Sequence, residues 1–132
     1  MDSALSPSEQ RMIEAAAEFA ANTVAPNATR WELQRTMPDD GIRPAARAGL
    51  TGMLLDESLG GKGMSKAGMA RVMEQLSMAD MGYAFLMIVH NNFMNAIADG
   101  GTEAQKQRYL PAMLSGERLG AFLLTEPQSG SD

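Results

Sequence analysis

The segment that decides the fold is YAFLMIVHNNFMNAIADGG, from Tyr83 to Gly101. Nearly every residue before His90 is apolar, so a helix formed here has no clearly polar face. A helix of that kind is usually buried in the middle of a bundle, and Gly100 with Gly101 supplies its end. The sequence therefore predicts a mostly α-helical fold built around this segment.

Helical patterns also lie on both sides of this segment. Ser6 and Glu9 form a capping box around Pro7, and Thr102 with Gln105 forms a second one. Proline, glycine and serine mark the other boundaries. Five further helices are predicted: from Ser6 to Pro26, over 28–35 before Pro38, over 40–48 before Gly49, from Ser65 onward, and over 103–114.

The stretch from Thr51 to Met64 contains four glycines and is predicted to be a loop. A dinucleotide-binding fingerprint would need a glycine three residues after Gly63, where Lys66 stands. A P-loop would need Ser or Thr after Lys62, where Gly63 stands. Both phosphate-binding motifs are absent, so the loop is interpreted as a connector.

Composition excludes several classes of function. Of 132 residues, 45% are hydrophobic and 20% are charged, as in an ordinary globular domain. The net charge of −5 argues against a nucleic-acid partner, and a single histidine with no cysteine argues against a metal site. The start of the chain lacks a targeting pattern and no apolar run is long enough to insert in a membrane, so a cytoplasmic location is predicted.

The end of the chain carries the single strand pattern, at Leu119–Leu124 within RLGAFLLTE. One strand leaves its backbone groups unpaired, and no other segment is a convincing partner for it. The chain is therefore expected to be the front part of a larger protein. The expected division is an α-helical domain over 1–116, and over 117–132 the first strand and turn of a β domain.

The same end of the chain carries a family resemblance. GAFLLTEPQSGSD resembles the first signature motif of the acyl-CoA dehydrogenases, a Ser/Thr-Glu-Pro turn followed by Gly-Ser-Asp. LGGKGMS, MEQLSMAD and GGTEAQKQRYLP are similar to motifs that precede it in this family, in the same order. The resemblance covers essentially the whole chain.

The resemblance implies a flavoenzyme that desaturates an acyl-CoA thioester between its α and β carbons. The family's fold has an N-terminal helical domain, a middle β domain and a C-terminal helical bundle, usually in a homotetramer. FAD is the implied cofactor, and electron-transfer flavoprotein receives the electrons. The isolated chain is expected to bind little or no FAD and to be inactive.

The resemblance also assigns residues to the cofactor. Phe122 and Leu124 would present backbone groups to the flavin ring, and Thr125 would add a hydroxyl. Gly130 and Ser131 would lie near the pyrophosphate, with Ser131 also touching the thioester. Glycine permits a close backbone approach there, and successive N–H groups of a turn can bind an anion.

No residue of this chain is predicted to be catalytic. The family's base is a glutamate of the C-terminal domain, so Glu126 is expected to hold its turn together or pair with a cation. His90 is predicted to be a buried, hydrogen-bonded residue, with a place in the acyl pocket as the alternative.

The acyl pocket is predicted from helical spacing and from a further resemblance. MIVHNNFMNAI is similar to a stretch of isobutyryl-CoA dehydrogenases, which suggests a short branched acyl group. Four residues at helical spacing are candidates to line the pocket: Tyr83, Met87, Asn91 and Met94.

Two alternatives remain open at this point. The chain could be a stand-alone helical module that binds acyl-CoA or a partner, or one polypeptide of an enzyme assembled from separate chains. The unpaired strand argues against the first alternative unless a second copy pairs with it.

Overall fold

All regular secondary structure in the described residues is helical. The computed structural model describes residues 5–35 and 39–130. Its α-helices are α1 (Pro7–Phe19), α2 (Ala25–Gln34), α3 (Asp39–Arg47), α4 (Lys66–Ala79), α5 (Met81–Gly100) and α6 (Glu103–Leu114). A π-helical turn spans Ala20–Val24 and a 3₁₀ turn spans Glu57–Leu59. The predicted mostly α-helical class is confirmed.

The first helix does not end at Pro26, contrary to the prediction. The chain stays helical from Pro7 to Gln34, because the π-helical turn of Ala20–Val24 lies directly before the proline. Pro26 then lies in the first turn of α2. Proline has no N–H to donate to the preceding helical turn, so the helix continues past it with one backbone hydrogen bond fewer. The predicted break at Pro38 lies outside the described residues.

Both predicted capping boxes are confirmed. The Ser6 hydroxyl accepts from Glu9 N–H while the Glu9 carboxylate accepts from Ser6 N–H, and Thr102 with Gln105 repeats the arrangement at α6. Ser65 caps α4 by accepting from Gly68 N–H at 3.0 Å. These bonds satisfy N–H groups that the first turn of a helix leaves free.

Two apolar clusters form the core, one along each half of α5. The larger one joins α1, α4 and the first half of α5, with Val24, Leu76 and Met87 fully buried. The smaller one joins the second half of α5 to α6 and includes Met94 and Leu110. α5 is thus the element that both clusters share, as its sequence predicts.

The burial of α5 is nevertheless one-sided in the described chain. Tyr83, Met87 and Met94 face the core, whereas Met81 and Phe85 on the opposite side are 70% and 64% exposed. The expectation of a helix buried all round is therefore wrong for these residues. Exposed apolar side chains on one face of a helix are a common feature of interaction surfaces.

The loop between α3 and α4 is a compact connector, as predicted. Gly52, Gly60 and Gly63 adopt positive φ angles, which favour glycine. Met64 N–H donates to the Met53 carbonyl at 2.8 Å and folds the loop back on itself.

The predicted strand at Leu119–Leu124 does not form. No described residue pairs with this segment, and a strand without a partner cannot satisfy its backbone groups. In the part of the chain that the structure describes, none of the helices is both long and apolar enough to cross a membrane.

Candidate functional site

The candidate site begins where the chain leaves α6. Gly116 has a φ of +72° and turns the chain back beside the helix end. Arg118 N–H then donates to the Ala112 carbonyl at 2.9 Å, and Gly120 N–H donates to Nδ1 of His90 at 3.1 Å. These contacts fix the position from which the following residues extend.

Residues 121–125, which we name the exposed segment, lie on the surface of the described chain. Leu123 is 98% exposed and Leu124 is 80% exposed. Among the described residues, none forms a backbone hydrogen bond with this segment. Its peptide groups and apolar side chains are therefore both available to another chain, domain or ligand.

A turn closes the site at its far end. Glu126 and Ser129 exchange backbone hydrogen bonds of 3.0 and 3.3 Å, and the Glu126 carboxylate accepts from Gln128 at 3.3 Å. The predicted role of Glu126 in holding the turn is confirmed. A Cβ placed on Gly130 would lie 3.6 Å from the Thr125 methyl, so the turn brings these two predicted cofactor residues together. Ser131 lies outside the described residues.

His90 lies beneath the start of the exposed segment and is fully buried. Its Nε2 lies 3.1 Å from the Met113 carbonyl, and its Nδ1 accepts from Gly120 N–H. Burial lowers the pKa of His90, and the hydrogen bond to Met113 offsets part of that effect. The ring is therefore neutral near pH 7, and the prediction of a buried, hydrogen-bonded histidine is confirmed.

Asn91, the next residue, fastens the long loop to α5. Its Oδ1 accepts from Met53 N–H at 3.0 Å, and its Nδ2 donates to the carbonyls of Leu50 (3.0 Å) and Met87 (2.8 Å). Asn91 is 1% exposed, so each of these bonds replaces contact with water.

The four predicted pocket residues lie together on the core side of α5. Tyr83, Met87 and Met94 are fully buried, as Asn91 nearly is. The Tyr83 hydroxyl donates to the Gly41 carbonyl at 2.6 Å, and burial raises the pKa of this phenol. Their assignment to a substrate pocket stays a prediction.

A different face of α5 adjoins the exposed segment. Phe93 meets Phe122 edge to face, with ring centroids 6.0 Å apart. Phe85 and Val89 precede Phe93 at intervals of four residues, so these side chains follow one side of the helix. Helical spacing alone could not distinguish this face from the buried one, because both are apolar.

The exposed segment and the turn fit the implied cofactor. A segment with unpaired peptide groups can hydrogen-bond the polar edge of a flavin, and its apolar side chains can flank the ring. The glycine at 130, close to Thr125, leaves room for a bulky group near the turn.

These features define a class: a helical domain with an apolar face open on α5 and an exposed segment that follows α6. Residues 6–117 match the family described as Acyl-CoA dehydrogenase, N-terminal domain. The chain therefore belongs to the acyl-CoA dehydrogenase family.

Three relatives show how much of such proteins the chain represents. It is 33% identical to the mitochondrial isobutyryl-CoA dehydrogenase of Dictyostelium discoideum over 97% of this chain and 31% of that one. A chain in the structure of the electron transferring flavoprotein of Acidaminococcus fermentans superposes with a TM-score of 0.89 and 32% identity, over 99% of this chain and 35% of that one. Glutaryl-CoA dehydrogenase of Mycobacterium smegmatis in complex with FADH2 gives a TM-score of 0.88 and 27% identity, over 97% of this chain and 33% of that one. The chain thus spans about a third of the length of these relatives.

Proposed function

We propose that the chain is the N-terminal part of a flavin-dependent acyl-CoA dehydrogenase that desaturates a short, branched acyl-CoA between its α and β carbons. The exposed segment carries this proposal, because its unpaired peptide groups lie beside an apolar side of α5, where Phe93 contacts Phe122. Family membership and the third of the relatives' length that it spans agree with this assignment.

The cofactor is FAD, held in part by the end of this chain. Backbone groups of Phe122 and Leu124 and the hydroxyl of Thr125 would contact the ring, and Gly130 and Ser131 would contact the pyrophosphate. A bound flavin supplies the acceptor for the β hydrogen, which leaves as hydride. A base from the remainder of the polypeptide removes the α proton, so no residue of this chain is catalytic.

The acyl group lies along the side of α5 that carries Phe85, Val89 and Phe93. Apolar side chains there provide the contacts that a hydrocarbon group requires. Tyr83, Met87, Asn91 and Met94, the lining that helical spacing predicts, remain the alternative contact, on the buried side of the same helix. Similarity to an isobutyryl-CoA dehydrogenase supports a branched substrate.

Two kinds of protein partner belong to this proposal. Electron-transfer flavoprotein takes electrons from the reduced enzyme, and the complete polypeptide forms a homotetramer. The family neighbours include a chain in a structure of an electron transferring flavoprotein, which supports the first of these proposals. We propose a cytoplasmic location, although the Dictyostelium relative is named as mitochondrial.

Steady-state assays of the full polypeptide encoded by the gene test the proposal. Isobutyryl-CoA, butyryl-CoA and glutaryl-CoA are offered in turn with an artificial electron acceptor. We expect the highest kcat/KM with isobutyryl-CoA. Faster turnover of glutaryl-CoA would contradict the branched substrate, and no turnover by a flavin-loaded protein with any acyl-CoA would contradict the activity itself.

A further inference from the structure

His90 joins two elements that meet beneath the exposed segment. One ring nitrogen faces the carbonyl of Met113 in the last turn of α6, and the other accepts from Gly120 N–H. Because Nδ1 accepts a hydrogen bond, the proton of the neutral ring is on Nε2, which donates to Met113. Both bonds are 3.1 Å long and exist together only in this tautomer.

Gly120 is the last firmly held residue before the exposed segment. A Cβ at this position would come within 2.5 Å of Phe93 Cδ1 and 2.7 Å of Met113 Cε, so the backbone fits tightly between these two side chains. Gly120 is buried, whereas Ala121 and Phe122 are exposed. In the described chain the hydrogen bond to His90 is therefore the last backbone anchor before residues 121–125.

We propose that His90 is a positioning residue for the cofactor: by accepting from Gly120 N–H it sets where Phe122 and Leu124 meet the flavin. This inference rests on the proposed function, since it concerns the same cofactor site. His90 touches neither flavin nor substrate and acts through the backbone of Gly120. Its bond to Met113 orients the ring so that Nδ1 faces Gly120.

Two substitutions by amide side chains each remove one of the two hydrogen bonds of His90 and keep the other. The amide oxygen of His90→Asn can take the place of Nδ1, so it keeps an acceptor for Gly120 but loses the donor to Met113. The amide nitrogen of His90→Gln can take the place of Nε2, so it keeps the donor and loses the acceptor. Each variant loses one hydrogen bond, which makes them matched controls for stability.

The dissociation constant for FAD, measured on the full polypeptide by flavin fluorescence, is the main readout. We expect His90→Gln to raise it by about tenfold, the value of one hydrogen bond. We expect His90→Asn to raise it by no more than about threefold, although both variants lower the melting temperature to a similar extent. Equal changes in FAD affinity for the two variants, in step with stability, would overturn the inference and leave His90 a purely structural residue.

If His90→Gln does not fold, the position of the ring proton of His90 in the unmodified full polypeptide tests the inference. Selective ¹⁵N labelling of histidine, with His90→Asn to identify the signal, reports which ring nitrogen carries the proton. A proton on Nε2 supports the inference, whereas a proton on Nδ1 rules out acceptance from Gly120 and overturns it. If the unmodified protein binds no FAD at all, the proposed function fails instead, and the two failures are distinguishable.

Discussion

Glu9 and Ser65, which are 56 residues apart in sequence, connect the starts of α1 and α4. Oε1 of Glu9 accepts from both the hydroxyl (2.6 Å) and the backbone N–H (2.8 Å) of Ser65, the residue that caps α4. Oε2 of the same carboxylate accepts from Ser6 N–H at 2.8 Å and completes the capping box of α1. One carboxylate therefore caps α1 and anchors the first turn of α4 to it.

Stability should fall in acid as Glu9 takes up a proton. The hydrogen bond from the Ser65 hydroxyl, followed by those from the Ser6 and Ser65 backbones, lowers the pKa of Glu9 from 4.5 to about 2. A lowered folded-state pKa means that the stabilisation is complete above about pH 4.5 and is lost as the pH falls toward 2. Urea unfolding between pH 2 and 7 measures this contribution.

Glu9→Gln should flatten that part of the pH dependence and lower stability at pH 7. Glu14→Gln, an exposed change on the same helix, is the matched control and should leave the profile close to that of the unmodified protein. An identical acid profile for Glu9→Gln and the unmodified chain would show that the carboxylate has no such role.

Gly68→Ala should be destabilising although alanine favours helices. The new Cβ would lie 2.5 Å from Oε1 of Glu9 and displace the carboxylate from Ser65. In a Glu9→Ala background this obstacle is removed, and the same substitution should stabilise α4 by up to about 1 kcal/mol. A double-mutant cycle in urea measures the coupling. Additive effects would contradict the contact.

Asn91→Leu should destabilise the fold by about 3 kcal/mol, because it leaves Met53 N–H and the Leu50 carbonyl buried without a partner. Asn92→Leu changes the exposed neighbour and should alter stability by less than about 0.5 kcal/mol. Chemical unfolding compares the two variants. Similar losses for both would mean that Asn91 does not fasten the loop.

Phe85→Ala should weaken substrate binding in the full polypeptide without unfolding the helical domain. The side chain is 64% exposed here, so its removal leaves the core intact. If an acyl group covers it, the loss of buried aromatic surface should raise the KM for isobutyryl-CoA by roughly tenfold. Leu33→Ala removes another exposed apolar side chain, on α2, and should leave KM unchanged. An unchanged KM in Phe85→Ala would place the acyl group elsewhere.

Local patterns predicted the helices well and long-range contacts poorly. Ser6 with Glu9 and Thr102 with Gln105 are predictable because each capping box is complete within four residues. The second role of Glu9 depends on Ser65, which tertiary packing brings to it. The prediction that Pro26 ends a helix was wrong. A π-helical turn lies before the proline, and hydrophobic spacing in the sequence does not reveal such a turn.

In the candidate site, too, local features were predictable and the packing between elements was not. The sequence predicted a polar, buried role for His90, since a histidine within an apolar helix needs partners. It could not determine which apolar face of α5 packs inward, and Tyr83 with Met87 proved to face the core. The strand at Leu119–Leu124 depends on a partner strand, and none is present among the described residues.

The flavin spectrum of the full polypeptide shows directly whether it binds FAD and whether an acyl-CoA reduces that FAD. We expect the purified protein to absorb near 450 nm with about one FAD per polypeptide, and anaerobic addition of isobutyryl-CoA to bleach that band. Acyl-CoA reduces the flavin in such an enzyme, so bleaching reports the chemistry itself. A protein that binds no flavin, or whose flavin stays oxidised with every acyl-CoA offered, would contradict the account.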